Sequence, residues 1–119
     1  MVTGGVLDAP GKTMFEKMKY FERYRDDLRL RLLREPRGYP ALCGNVLLPP
    51  TRPEADAGYV IMEHVEYPRM SGTNTICVAT VLLETGILPM REPVTELTLE
   101  APAGLIRVRA DCEGGKVRR

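Results

Sequence analysis

Apolar positions in this chain follow three patterns. From Thr13 to Arg34 they recur at helical spacing: Met14, Phe15, Met18, Phe21, Leu28, Leu32 and Leu33 fall mostly on one face. Lys17, Lys19, Glu22, Arg23, Arg25, Asp26, Arg29 and Arg31 cover the remainder, which reads as a solvated face. Thr13 and Glu16 form a capping box, and Asp26-Asp27 allows a second cap, so a break there is expected. Ala41–Leu48 and Ala57–Met62 are short, nearly continuous apolar runs bounded by prolines and polar turns, and both read as strands. Glu96–Glu100 and Leu105–Ala110 alternate instead, with Leu97, Leu99, Ile106, Val108 and Ala110 inward and Arg107 and Arg109 outward. Pro102-Ala103-Gly104 separates these two strands, and Glu113-Gly114-Gly115-Lys116 reads as a hairpin turn.

One stretch breaks from both periods. Ser71 to Thr75 is small and polar, and the apolar run Ile76–Leu83 follows and ends near Gly86. A helix apolar all round is expected to be surrounded by sheet. Gly86 and Pro89 stop it. Ser71, Thr73, Asn74 and Thr75 can each cap its start. The unpaired N–H groups and positive dipole end of the first turn form a seat for a carboxylate.

With 119 residues the chain has room for one domain and one modest core. Its 17 basic and 16 acidic residues leave a net charge of +1, without a basic arm or face for nucleic acid or a membrane surface. Ile76–Leu83 is too short to cross a bilayer, and the N-terminus lacks the charged start and apolar core of a signal peptide. Cys43, Cys77 and Cys112 are odd in number and widely spaced, which fits a reducing, cytoplasmic setting and argues against a disulfide frame or a zinc site. The chain has one histidine, His64, read as a surface residue, so no metal site based on histidines is expected. Cys77 is read as a buried small residue and Cys43 and Cys112 as inert strand residues. Asp56 is read as ordering its loop and Glu100 as a turn residue.

Both ends read as cut. Thr3-Gly4-Gly5-Val6 and Asp8-Ala9-Pro10-Gly11 are turns with no strand ahead of them, and Val117-Arg118-Arg119 begins a strand that runs off the chain.

Six segments, in order, carry a resemblance: Thr3-Gly4-Gly5, Pro10-Gly11-Lys12-Thr13, Glu35-Pro36-Arg37-Gly38, Pro49-Pro50-Thr51-Arg52-Pro53-Glu54-Ala55-Asp56, Met70-Ser71-Gly72-Thr73-Asn74-Thr75 and Glu100-Ala101-Pro102-Ala103-Gly104-Leu105. Together they resemble the proline racemase family, which includes proline racemase, 4-hydroxyproline 2-epimerase and trans-3-hydroxy-L-proline dehydratase. The resemblance implies an α/β (α+β) fold like one half of diaminopimelate epimerase, a curved, mostly antiparallel sheet wrapped round a central helix. Residues 1–119 would then be a single, truncated N-terminal half-domain of a two-half protein. It also implies a substrate held between the halves, one catalytic residue at each central helix start, and no cofactor. Relatives usually read Met-Cys-Gly-His in the central motif. Here Ser71 stands in the catalytic cysteine's place and Thr73 in the histidine's.

Removing the α-proton of an amino acid needs a base near Cα and stabilisation of the resulting carbanion. The N–H groups of Gly72, Thr73 and Asn74 are expected to hold the substrate carboxylate, with Ser71 at the catalytic position. A serine hydroxyl can donate but is a poor resting base, so one-base chemistry is favoured. The expected reaction is dehydration of trans-3-hydroxy-L-proline. The alternatives are 2-epimerisation of 4-hydroxyproline or proline racemisation, an inactive fragment lacking the second half, and a simple carboxylate-binding module. The expected partners are a small proline derivative and either a second copy of the chain or the missing half, with no nucleic acid and no membrane.

Overall fold

The computed structural model describes residues 1–4 and 8–119. The expected turn at Thr3–Val6 runs into residues 5–7 and lies outside the described residues. The elements are α1 (Met14–Tyr24), α2 (Asp26–Leu33), β1 (Gly44–Leu48), β2 (Ala57–Met62), α3 (Gly72–Glu84), β3 (Val94–Ala101), β4 (Gly104–Glu113) and β5 (Lys116–Val117). The five strands form one sheet in chain order, antiparallel at every pairing except the parallel β2–β3. The sheet curls around α3 as a half-barrel.

β1 and β2 lie between two layers of helix. Ala57, Tyr59 and Ile61 of β2 pack toward α3, with Val78, Ala79, Leu82 and Leu83. Val60 and Met62 pack the other way, toward Met14, Met18, Phe21 and Leu33 of α1 and α2. Burial on both faces is why β2 is written as a continuous apolar run. Gly58 makes room for this packing: a Cβ there would sit 2.2 Å from the Met14 terminal methyl, so the methionine would have to shift. β3 and β4 are covered on one face only, so they alternate, with Ile106, Val108 and Ala110 turned to the α3 core as expected. The Gly114-Gly115 turn has φ of 60° and 73°, the positive values that a two-residue hairpin favours.

The helical stretch breaks at Arg25, next to the second cap expected at Asp26-Asp27. Half of the capping box forms: Thr13 Oγ1 accepts the Glu16 N–H, while the Glu16 carboxylate takes the Lys12 N–H. Two charges expected on the solvated face are buried instead. Lys17 reaches Asp8 (2.6 Å) and the Pro49 carbonyl (3.1 Å). Arg29 pairs with Asp26 (2.7 and 2.8 Å) and donates to the His64 carbonyl. Each has the partners a buried cation needs, so the helices rest on the loops from β1 and β2 through charges as well as apolar contacts.

Glu100 is not a turn residue. It lies in β3, 3 % exposed, where its carboxylate accepts from Thr51 N (2.6 Å), Thr51 Oγ1 and Arg52 N (3.2 Å). Asp56 orders its loop: its carboxylate takes the Thr98 N–H (2.7 Å), and its own N–H bonds the Thr98 carbonyl (2.8 Å). Val2, which precedes the expected turn, is already paired in parallel with Val46.

α3 is not buried all round. Val78, Ala79, Leu82 and Leu83 face the sheet, but Ile76 is 67 % exposed and Cys77 is exposed too. The apolar composition of a helix does not say how many strands enclose it, and five strands enclose one side. No helix among the described residues is long and apolar enough to cross a membrane.

Candidate active site

The start of α3 is built by two short sets of side-chain hydrogen bonds. Ser71 is the N-cap, with extended backbone (φ −151°, ψ 124°). Its Oγ accepts from the Asn74 side-chain Nδ2 at 2.9 Å and from the Asn74 backbone N at 3.4 Å. Both lone pairs of the hydroxyl are thus engaged, and its hydrogen remains to be donated. Thr75 locks the same turn to the sheet. Its Oγ1 donates to the Ser71 carbonyl at 2.7 Å and meets the Tyr59 hydroxyl at 2.7 Å. Because the Thr75 proton is committed to Ser71, Tyr59 is the donor in that second bond. Burial pushes the Tyr59 phenol above its ordinary pKa, keeping that proton in place.

The first backbone bond of the helix runs from Thr75 N to Ser71 O at 3.0 Å. Gly72 and Thr73 therefore have N–H groups without an intrahelical acceptor. Both residues are exposed, and a Cβ at Gly72 would meet nothing within 4 Å, so a ligand can approach the backbone there. The first turn carries no acidic side chain to offset the positive end of the dipole. Asn74 differs from these two. It is buried, its N–H lies on Ser71, and its side chain orients Ser71.

Ser71, Thr73 and Asn74 line one wall of a cleft of about 550 Å³, a volume in the range of small-molecule sites. The other wall comes from Cys43, Asn45 and Glu63, at the matching end of β1 and β2. Glu63 is the one charged side chain among the described lining residues. A slightly larger cleft, about 590 Å³, lies at the opposite end of α3, lined by Leu83, Asp56, Arg91 and Glu96. It receives the negative end of the helix and none of the residues of the Met70–Thr75 motif. The smaller cleft is therefore the candidate site.

Two of the cysteines were misread from sequence. Cys77 and Cys43 are exposed and line the cleft, and Cys112 alone is buried. Cys77 stands on the side of α3 that the half-barrel leaves open. Cys43 sits just ahead of β1, outside the strand expected from Ala41. His64 is half-buried behind the cleft and does not line it; its carbonyl accepts from Arg29 and from Arg34 (3.3 Å). Sequence reasoning missed Asn45 and Glu63. The signal was present: Asn45 is a polar residue inside an apolar strand, and Glu63 extends the α3-facing positions Tyr59 and Ile61 by one step of two.

The family model for proline racemase matches residues 1–119. A hydroxyproline epimerase from Agrobacterium vitis, solved with bound trans-4-hydroxy-L-proline, is 39% identical with a TM-score of 0.90, over 96% of this chain and 34% of that one. A probable proline racemase from Agrobacterium radiobacter, solved with bound carbonate, is 43% identical with a TM-score of 0.89, over 95% of this chain and 34% of that one. A methylitaconate-delta-isomerase, 22% identical with a TM-score of 0.69 over 98% of this chain and 55% of that one, shares the fold. The chain thus spans about a third of the length of the first two. A half-barrel around a serine-capped helix, matched along its whole length by the family model, makes this chain a member of the proline racemase family.

Proposed function

We infer that this chain supplies the carboxylate seat and one face of a site acting at Cα of a proline derivative. The reading rests most on the start of α3: free Gly72 and Thr73 N–H groups beside a serine hydroxyl whose acceptor positions are already filled. The two N–H groups hold the substrate carboxylate, and the helix field favours the charge that spreads onto it as the α-proton leaves. Ser71 gives a hydrogen bond and does not take a proton. The base is then a group outside these residues, on the other face of the substrate.

A site with a single base favours elimination over inversion. In trans-3-hydroxy-L-proline the base takes the α-proton. The Cα–H electron pair forms the Cα–Cβ double bond, and the 3-hydroxyl departs with its bonding pair and leaves as water once protonated. The enamine product tautomerises to the imine. Dehydration of trans-3-hydroxy-L-proline, without a cofactor, is the preferred reading. 2-Epimerisation is the second reading, favoured by the 39% identity to a hydroxyproline epimerase.

Proton NMR in heavy water separates the two readings. Loss of the α-proton signal of trans-3-hydroxy-L-proline with new imine signals supports dehydration. Appearance of the other C2 epimer from trans-4-hydroxy-L-proline refutes the argument from the Ser71 hydrogen bonds. In a full-length protein, Ser71→Cys is expected to gain epimerisation, because a thiolate at a helix N-terminus can accept a proton.

A further inference from the structure

The connection from β2 to Ser71, residues 63–70, forms neither helix nor strand, and Tyr67 is its one buried residue, 8 % exposed. Val65 and Met70 on either side are open to solvent. The Tyr67 ring belongs to the core layer of Met14, Met18, Phe21 and Leu33 under α1 and α2. Its hydroxyl donates to Asp26 Oδ1 at 2.7 Å, and the Arg29 guanidinium lies 5.8 Å from its ring centre. Arg29 is bound in turn to Asp26 and to the His64 carbonyl, which Arg34 also reaches. From the other side, the Ala103 N–H in the β3–β4 turn donates to the Arg69 carbonyl at 2.9 Å. The connection is thus fixed at His64, Tyr67 and Arg69 before it reaches the N-cap of α3.

Two of those three fixings are backbone carbonyls, which any residue at 64 or 69 would offer. Tyr67 alone holds the connection by its side chain, so the residue type matters there. Where the connection ends decides where the Gly72 and Thr73 N–H groups point, and a displacement of about 1 Å at such a site costs up to about 10²-fold. Tyr67 does not line the cleft, so it acts on the seat through the chain and not on a ligand. We propose that Tyr67 is a positioning residue for the carboxylate seat. It anchors the connection to α2, through Asp26 and Arg29, and so fixes where Ser71, Gly72 and Thr73 stand. This proposal rests on the reading that the α3 start takes the carboxylate. Lys17 supplies the comparison within the same molecule. It is an equally buried polar anchor, but it ties α1 to Asp8 and to the Pro49 carbonyl and has no part in the connection to α3.

The test compares Tyr67→Phe with Lys17→Met in two NMR measurements on the whole chain. Y67F keeps the buried ring and loses the hydroxyl. Asp26 is partly exposed and keeps Arg29, so water replaces the lost donor and the variant folds. The first measurement is hydrogen exchange at the Thr75 amide, which bonds the Ser71 carbonyl and so reports opening of the first turn. Y67F should speed it about tenfold, as the loss of a hydrogen bond to a charged group implies, with a smaller change at Val78–Leu82 in the middle of α3. The second is a titration with L-proline read at the Gly72 and Thr73 amides. Y67F should bind about tenfold more weakly, whereas K17M should lower the urea midpoint and leave proline affinity unchanged. Unaltered exchange at Thr75 in Y67F overturns the anchor. Faster exchange with unaltered proline affinity overturns the positioning role, and so does an equal loss of affinity in K17M, which would make the effect one of general stability. These three outcomes leave the carboxylate seat standing. Absence of any Gly72 or Thr73 shift with L-proline in the unmodified chain overturns the seat itself, and the proposal falls with it.

Discussion

Thr75→Val tests whether the helix start is held by a hydrogen-bond chain or by packing alone. The replacement keeps the side-chain shape and removes one hydroxyl, which donates to the Ser71 carbonyl and accepts from Tyr59. The Ser71 carbonyl keeps its bond from Thr75 N, so its loss is small. Tyr59 is fully buried, and its hydroxyl has no other protein partner. T75V leaves that donor stranded, at a cost of about 1–3 kcal/mol. Tyr59→Phe costs less, about 0.5–1.5 kcal/mol, because Thr75 Oγ1 retains its bond to Ser71. In the double variant no donor is stranded, since both partners of the bond are gone. Its destabilisation should fall short of the sum of the single effects by about 1 kcal/mol or more. Urea unfolding of the four proteins, read at constant slope, gives the cycle. Strictly additive effects would refute the idea that Tyr59 is the donor and Thr75 the relay to Ser71.

Other consequences can be checked in the same way. Glu100→Ala strands three donors from Thr51 and Arg52 and should cost about 3 kcal/mol or more, while Glu100→Gln keeps one acceptor and should cost about half as much; near-equal urea midpoints would refute the role of Glu100 as the clamp on that loop. The bond from Arg29 holds the Asp26 carboxyl below its usual pKa of 3.8, helped by the Tyr67 hydroxyl. A depressed carboxylate pKa contributes stability above the unfolded value that is lost as pH falls through the folded one. The chain should therefore lose stability below about pH 4, and Asp26→Asn should flatten part of that slope in unfolding curves taken from pH 6 down to pH 3. Two thiols, Cys43 and Cys77, should react quickly with a thiol reagent in the native chain, and Cys112 only after unfolding; three fast thiols would contradict the burial of Cys112.

The proline-flanked runs, the alternating strands and the serine-led apolar helix were all legible along the chain. Each depends on local chemistry: capping, period and turn residues act over a few positions. Ala57–Met62 and the Gly114-Gly115 turn emerge where they are expected for that reason. The motif at Ser71 was legible too, because a hydroxyl-rich start before an apolar run is itself a capping signal.

What the sequence could not decide was which side of each element meets which neighbour. Lys17 and Arg29 read as solvated because their partners, Asp8 with the Pro49 carbonyl and Asp26 with the His64 carbonyl, include groups 32 and 35 residues away. Glu100 read as a turn residue because its donors lie across the sheet, at Thr51 and Arg52. Cys77 read as buried because a helix's composition reports what could be covered, and the extent of the sheet decides what is. Ser71 followed from the order of residues, whereas its spent lone pairs and the facing wall of the cleft required β1, β2 and α3 to be brought together. Local propensity named the elements of this protein, and long-range burial and hydrogen bonding determined the chemistry between them.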